Sequence, residues 1–319
     1  LGERVLHFPA RDYVLLDVDG ASGEFEHQRL GVLSELLQGT ARVVVASAES
    51  ACERTIPKET LKDSILTIDM DGSYDQEQVV KKLVAMGYQC RDQVEGICQF
   101  ARRGGILDIF SPAEDRPVRA EFFGDELDTM GFFDPATQRR SENITSVTVL
   151  PVAETQPGLH PGGVEGLCKD ITSLISRQKR RKNINEPLIA TLEKDLNKYE
   201  SGLHNPASDR YMALIYPEMA TAADYIPDGA VVAVCAHGNL QRAARSRCDE
   251  MGMQLDSMLG AGLVAGELCD YVCQWEDFCK SLRKKTVVYF DAFGGTSYPE
   301  DCPPKQLYPL TAKQLPGYG

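Results

Sequence analysis

The sequence lacks the glycine-rich loop GxxxxGKS/T with which ATPases hold the phosphates of a nucleotide. It also lacks a GxSxG elbow for a nucleophilic serine, a CxxC pair of the kind that binds zinc, and an apolar run long enough to span a membrane. The N-terminus carries no secretion signal. We therefore predict a cytoplasmic protein without catalytic residues, metal or cofactor.

Positive charge is also scarce. The chain has 319 residues, with 34 Lys and Arg against 47 Asp and Glu, which gives a net charge of −13. Such an acidic chain has no overall attraction for phosphates, which argues against a protein that binds DNA over its whole surface. The length predicts two or three domains, at about 150 residues per domain. The ten cysteines are dispersed, and we predict that they are reduced thiols.

The first 64 residues alternate between strand and helix patterns. VLLDVDG at 14–20 and ARVVVASA at 41–48 predict strands, the second covered on both faces, and a helix from Glu24 should end at Gly39. This pattern predicts a parallel α/β layer that is truncated, because two strands do not make an open sheet on their own. KKTVVYFDAFGG at 284–295 is the candidate to complete that sheet.

Residues 65–152 predict a small α+β unit with an antiparallel sheet. A strand (SILTIDM) and a helix (YDQEQVVKKLVAMG) precede three strand-like stretches, which are separated by turns at Gly104-Gly105, at 111–117 and at Asp134-Pro135. The next stretch, AETQPGLHPGGVE at 153–165, has the Gly and Pro content of a linker or an entry loop.

Beyond the linker, the sequence predicts charged helices and one more buried strand, DGAVVAVCAHG at 228–238. The run RQKRRK at 177–182 allows a contact with nucleic acid, although a solvated helix face is the more common role of such a run. Cys269 and Cys273 are four residues apart on a predicted helix, and we expect them to be core thiols rather than metal ligands.

The stretch PVRAEFFGDE at 117–126 is the most informative about function, because side chains alternate between the two faces of a strand. Arg119, Glu121 and Phe123 then share the face opposite to the core. An aromatic residue on a polar face is typical of a binding site. The alternative is structural: Phe123 is covered, and Arg119 pairs with Glu121 or Asp125.

GYQCRDQVEGICQFARRGGILDIFSPAEDRPVRAEFFGDELDTMGFFDPATQRRSE at 87–142 resembles the bacterial transcription-repair coupling factor family and, more distantly, the excision-repair protein UvrB. FPARDYVLLDVDGASGEFEHQRLGVLSELL resembles the same part of that family. The resemblance covers almost the whole chain, and FDPATQR favours the coupling factors over UvrB. Three departures from the family pattern are Cys98, where glycine is usual, Arg102, where an apolar residue is usual, and Met130-Gly131, where Ile-Arg is common.

The resemblance implies a truncated, helicase-type parallel α/β domain with an inserted small α+β domain and a second inserted domain. The implied parts are residues 1–64 of the helicase-like domain, a UvrA-binding domain at 65–152, a second insertion at 153–285, and a return to the helicase-like domain at 286–319.

The resemblance also implies that this is a non-catalytic module that recruits UvrA through Arg103, Arg119 and Phe123. The strand that carries a magnesium-binding carboxylate pair in UvrB has Ala236 and His237 here. Full-length relatives are ATP-dependent translocases that also engage RNA polymerase and DNA through other domains. The alternative hypothesis is a UvrB-type helicase subunit that binds DNA and ATP.

Overall fold

The computed structural model describes residues 5–17, 23–292 and 297–310. The fold is mixed α/β, with parallel and antiparallel sheets, which confirms the predicted class. The first segment contains β1 Val5–Phe8, α1 Glu24–Gln38, β2 Val43–Ala46, α2 Ala48–Cys52 and α3 Lys58–Ser64. Helix α1 ends as predicted at Gly39, whose φ of 71° is the left-handed conformation that terminates helices. Leu30 and Leu33 bury one side of α1 in the core.

The first strand does not lie where the sequence predicted it. Val5–Phe8 forms β1 and pairs in parallel with Val43–Ala46, whereas residues 14–17 are not in a strand and 18–20 lie outside the described residues. The backbone at 14–15 bonds to side chains instead: the Val14 N–H donates to Asp209, and the Leu15 carbonyl accepts from Arg210. Residues 14–17 are therefore an irregular segment, anchored by distant polar side chains at Val14 and Leu15.

Strand β2 is less covered than its uniformly apolar sequence predicted. Val45 is 52% exposed and Val43 is also exposed, so the expectation that both faces are buried is wrong. Among the described residues this sheet contains β1 and β2 alone.

The middle segment builds the predicted α+β unit. Its elements are β3 Leu66–Asp69, α4 Gln76–Ala85, β4 Gln89–Cys90, β5 Gln99–Arg103, β6 Ile106–Ile109, β7 Val118–Phe123, β8 Glu126–Phe133, β9 Arg140–Asn143 and β10 Ser146–Val149. A six-stranded sheet runs in the order β4-β5-β6-β7-β8-β9 and is antiparallel from β5 to β9. Strands β3 and β10 form a separate antiparallel pair.

A single core cluster holds this unit together. Leu83 of α4 packs in it with Leu107 of β6, Ala120 of β7 and Val149 of β10. All buried members of the cluster lie between residues 68 and 149. The face of the six-stranded sheet that packs on α4 is therefore apolar, and the polar side chains of the same strands lie on the other face.

The last segment is mainly helical. It contains α5 Gly163–Lys179, α6 Glu186–Glu200, α7 Met212–Ile215, α8 Ala222–Tyr225, β11 Val231–Cys235, α9 His237–Gly260, α10 Trp275–Ser281 and β12 Thr286–Phe290, with short 3-10 turns between them. Helices α5 and α6 share one core with Phe8 of β1 and Leu30 of α1. The predicted boundary at 153 therefore does not coincide with a separate core.

Strand β12 does not complete the first sheet. It pairs in parallel with β11, from Val231↔Thr286 to Cys235↔Phe290. Strand β11 is also not the buried strand that its apolar sequence predicted, because Val231 is exposed while Val234 packs in the core. Helix α2 supplies Ala51 and Cys52 to that same core. The β11–β12 sheet is therefore connected to the first segment by the packing of helix α2 rather than by strand pairing.

The segment that follows the predicted α+β unit at 65–152 does not form a free linker. Glu154 and Thr155 are buried, and Glu154 belongs to a buried ionic cluster that joins distant parts of the chain. The members of the buried ionic cluster are Arg11, Glu26, Arg29, Glu53, Glu154, Asp209 and Arg247. Because buried charges must be paired to persist, the cluster fixes the chain at residue 154 against α1 and the segment before it.

The buried ionic cluster makes stability depend on pH. Burial raises the pKa of Glu26 from 4.5 to about 7, and Asp209 and Glu154 add to this rise while Arg11 opposes it. The folded state then holds the Glu26 proton more tightly than the unfolded state. The stability from this group is fully present below pH 4.5 and is lost as the pH rises through about 7.

We therefore expect Glu26→Gln, which mimics the protonated form, to match the wild type near pH 5 and to exceed its free energy of unfolding by about 1–2 kcal/mol near pH 8. Urea denaturation at a series of pH values measures this difference. Burial lowers the pKa of His27, so this residue also makes stability depend on pH. Because both proteins contain His27, its contribution cancels in the difference between their free energies of unfolding. Glu59→Gln on the exposed side of α3 is the control, and a constant difference across the pH range would contradict the prediction.

The predicted helix through Cys269 and Cys273 is absent, because α10 begins only at Trp275. Cys273 is nevertheless buried in the core, as a core thiol should be. Within the described parts of the chain, no group of three His, Cys, Asp or Glu side chains could hold a metal ion. In residues 5–17, 23–292 and 297–310, no helix is both long enough and apolar enough to cross a membrane.

Candidate protein-binding surface

Phe123 lies at the end of β7, next to the turn of the β7–β8 hairpin. Val118 and Ala120 point into the core, and the pairing with β8 shifts by one residue between Glu121 and Phe122. Phe122 packs against the core after this shift, whereas Phe123 is 85% exposed. The predicted exposure of Phe123 is confirmed, and the structural alternative in which it is covered is wrong.

The two predicted arginines meet at one carboxylate, that of Asp108 on β6. Arg119 donates from Nε to Oδ1 at 2.7 Å and from Nη2 to Oδ2 at 2.8 Å. Arg103 donates from Nη2 to the same Oδ2 at 2.7 Å. Strand pairing explains the arrangement, since Asp108 lies directly opposite Arg119 across β6 and β7. The structure thus brings Arg103 and Arg119 together from different strands.

Arg119 is more covered than the sequence predicted. Its side chain is 15% exposed, whereas that of Arg103 is 41% exposed. Arg119 stacks over the ring of Phe133 at 4.5 Å and donates to the backbone carbonyl and the side chain of Gln138. The expectation that all three residues are freely solvent-accessible therefore holds for Phe123 and Arg103 and not for Arg119.

The ion pair that the structural alternative predicted also differs. Glu121 pairs with Arg140 at 3.1 Å, while Arg119 pairs with Asp108. The hydrogen bonds that Arg119 donates to Asp108 raise the pKa of Arg119 above its usual value, so this guanidinium stays charged. Asp108 was not among the residues predicted from the sequence. Its signal was a carboxylate alternating with apolar residues in ILDIF, at a position facing the same side of the sheet as Arg119.

Two departures from the family pattern have a structural effect. Cys98 adopts a φ of 66°, the left-handed conformation that favours the glycine usual at this position. Gly131 lies opposite Arg119 on β8, and a Cβ there would come within 2.5 Å of the Glu142 carbonyl oxygen and 2.8 Å of Arg140 Nε. The space that a larger residue would need at 131 is thus taken by β9.

Two further places that bear on nucleotide chemistry are the acidic run at 125–128 and His237. Asp125–Asp128 begins in the β7–β8 turn rather than at the end of a buried strand, where carboxylates that hold magnesium would lie. His237 starts α9 and is buried beside the rings of Trp275 and Tyr298, and its backbone N–H donates to Asp291.

The basic run is partly neutralised. Arg177 and Arg181 pair with Glu267, and Lys179 pairs with Glu193. Three of its five cations therefore have carboxylate partners on the same surface, which favours the solvated helix face over a nucleic-acid contact.

Comparisons with known proteins found one matching domain model and several similar proteins that share one name. Residues 66–154 match the family model of the UvrB interaction domain. A transcription-repair-coupling factor of Bacillus subtilis is 29% identical over 72% of this chain and 20% of its own length. The resemblance to the transcription-repair coupling factors is therefore confirmed.

Two further relatives with this name extend the similarity. The factor of Myxococcus xanthus is 34% identical over 48% of this chain and 13% of its own length. A Staphylococcus aureus factor is 25% identical over 92% of this chain and 25% of its own length. The chain thus spans a quarter or less of these transcription-repair-coupling factors.

Proposed function

We propose that this chain is the UvrB-like module of a transcription-repair coupling factor and that it recruits UvrA in transcription-coupled nucleotide excision repair. The observation that carries the proposal is an exposed Phe123 on the same strand as Arg119, together with two arginines held by one carboxylate, all within the segment that matches the UvrB interaction domain. An exposed aromatic beside guanidinium groups is the composition of an interface hot spot.

Charge placement supports a local contact. The unit at 65–152 contains nine Lys and Arg against fifteen Asp and Glu, so its net charge does not attract an acidic partner. The arginine pair must therefore act through its position on the surface. Calorimetric titration of the chain with purified UvrA tests the proposal directly. The absence of binding at micromolar concentrations would contradict it.

We also propose that residues 65–152 are the UvrA-binding domain, inserted into the rest of the chain. Their self-contained core and the agreement with the matched range of 66–154 support this division. In the longer protein, we propose that other domains engage RNA polymerase and DNA and hydrolyse ATP, in keeping with the name of the relatives.

This module itself is proposed to be non-catalytic. Magnesium-ATP is expected to leave its melting temperature unchanged beyond the effect of an equal ionic strength of salt, because a ligand raises stability only if the folded state binds it. Differential scanning fluorimetry with magnesium chloride and sodium sulfate controls measures this. A rise that saturates with ATP concentration would instead favour the UvrB-type helicase subunit.

A further inference from the structure

Asp108 has surroundings that are unusual for a charged residue. Its neighbours on β6, Leu107 and Ile109, enter the core, so Asp108 points to the opposite face of the sheet. On that face Ala101, Phe110 and Phe133 form a second apolar cluster with Val94. The Asp108 side chain is 0% exposed. A carboxylate in such a place is stable only when its charge is paired and its oxygens are hydrogen-bonded.

Both oxygens of Asp108 are used on the two arginines of the proposed UvrA surface. Arg119 binds bidentately, which fixes the plane of its guanidinium as well as its position. Arg103 approaches the same carboxylate from the far end of β5, next to the Gly104-Gly105 turn. One buried group therefore sets the orientation of two side chains that come from separate strands.

We propose that Asp108 is a positioning residue, which holds Arg103 and Arg119 in the conformation that the partner binds. This inference rests on the proposed function. An unrestrained arginine loses rotamer freedom when a partner immobilises it, and a side chain that is already held loses less. Asp108 thus lowers the entropic cost of binding without touching the partner.

Two explanations of the role of Asp108 predict opposite effects on affinity when its charge is removed. Asp108 neutralises part of the positive charge of the two arginines. If long-range attraction alone set the affinity, removal of the carboxylate charge would strengthen binding to an acidic surface. If positioning sets the affinity, removal weakens binding, because both guanidinium groups lose the carboxylate that restrains them.

The first test is Asp108→Asn in the full 319-residue chain, with affinity for purified UvrA measured per folded molecule. We expect about a tenfold loss of affinity from the ordering cost of two released arginines. The matched control is Asp195→Asn on α6. Asp195 is equally buried and accepts hydrogen bonds from Arg210 and Tyr211, which are not part of the proposed UvrA surface. The control should lower the melting temperature and leave the affinity unchanged. Unchanged or increased affinity of Asp108→Asn would overturn the inference.

A double-mutant cycle separates positioning from a general structural role. Once Arg119 is replaced by Ala, Asp108→Asn should have a smaller effect on affinity, because one of the side chains that it positions is gone. Equal effects in both backgrounds would contradict positioning. No binding by the wild-type chain would remove the proposed function itself, whereas normal wild-type binding with full affinity of Asp108→Asn would remove only this inference.

A measurement on the wild-type protein does not depend on how the variant folds. The Arg119 Nε–H, donated to Asp108, should exchange with solvent at least about tenfold more slowly in NMR spectra than that of the exposed Arg102. Equal exchange rates would show that Asp108 does not hold Arg119 and would overturn the inference. In the Asp108→Asn protein, the Arg119 rate should approach that of Arg102.

Discussion

Replacing Arg29 with Ala is expected to lower the free energy of unfolding by about 3–5 kcal/mol, because it leaves buried carboxylates without their partner. Arg29 on α1 is fully buried and pairs with both Glu154 and Glu53. It also donates to the Pro9 carbonyl and stacks over the Phe8 ring at 4.1 Å. The loss should appear in urea or guanidinium denaturation as a lower midpoint.

The control for this prediction is an arginine whose ion pair is exposed. Arg245 on α9 pairs with Glu276, and both side chains are largely accessible to water. Arg245→Ala should cost no more than about 1 kcal/mol, since solvent screens such a pair. If Arg29→Ala were as mild as Arg245→Ala, the buried ionic cluster would not be what joins residue 154 to α1.

Phe123→Ala is expected to weaken UvrA binding by about 1–3 kcal/mol, the range of an interface anchor, while changing the free energy of unfolding by no more than about 0.5 kcal/mol. The separation of the two effects follows from its exposure, since a side chain that is 85% exposed contributes little to the fold. Calorimetric titration with UvrA and thermal denaturation of the same protein measure the two quantities.

Phe25→Ala on α1 is the matched control, because Phe25 is also exposed but lies outside the proposed surface. It should alter neither quantity. A Phe123→Ala protein with wild-type affinity would contradict the binding role. Arg119→Ala is a less clean test, since it should reduce both affinity and stability by removing the bidentate partner of the buried Asp108.

Features that depend on neighbouring residues could be predicted from the sequence. Apolar spacing and Gly39 located α1, and turn residues located the connections from β5 to β6, from β6 to β7 and from β8 to β9. Alternation along PVRAEFFGDE predicted that Phe122 and Phe123 face opposite ways, and the structure agrees. These predictions succeed because helix and strand periodicity are properties of a short window of chain.

Features that depend on residues distant in the chain became visible only in the folded protein. The run at 14–17 is as apolar as a strand, yet its backbone bonds to the side chains of Asp209 and Arg210 instead of to another strand. Strand β12 pairs with β11 rather than with β2. Asp108 and Glu154 belong to the same class, because each is defined by partners on other strands or helices. A local pattern shows which residues can pair or be buried, whereas their partners follow from how the whole chain packs.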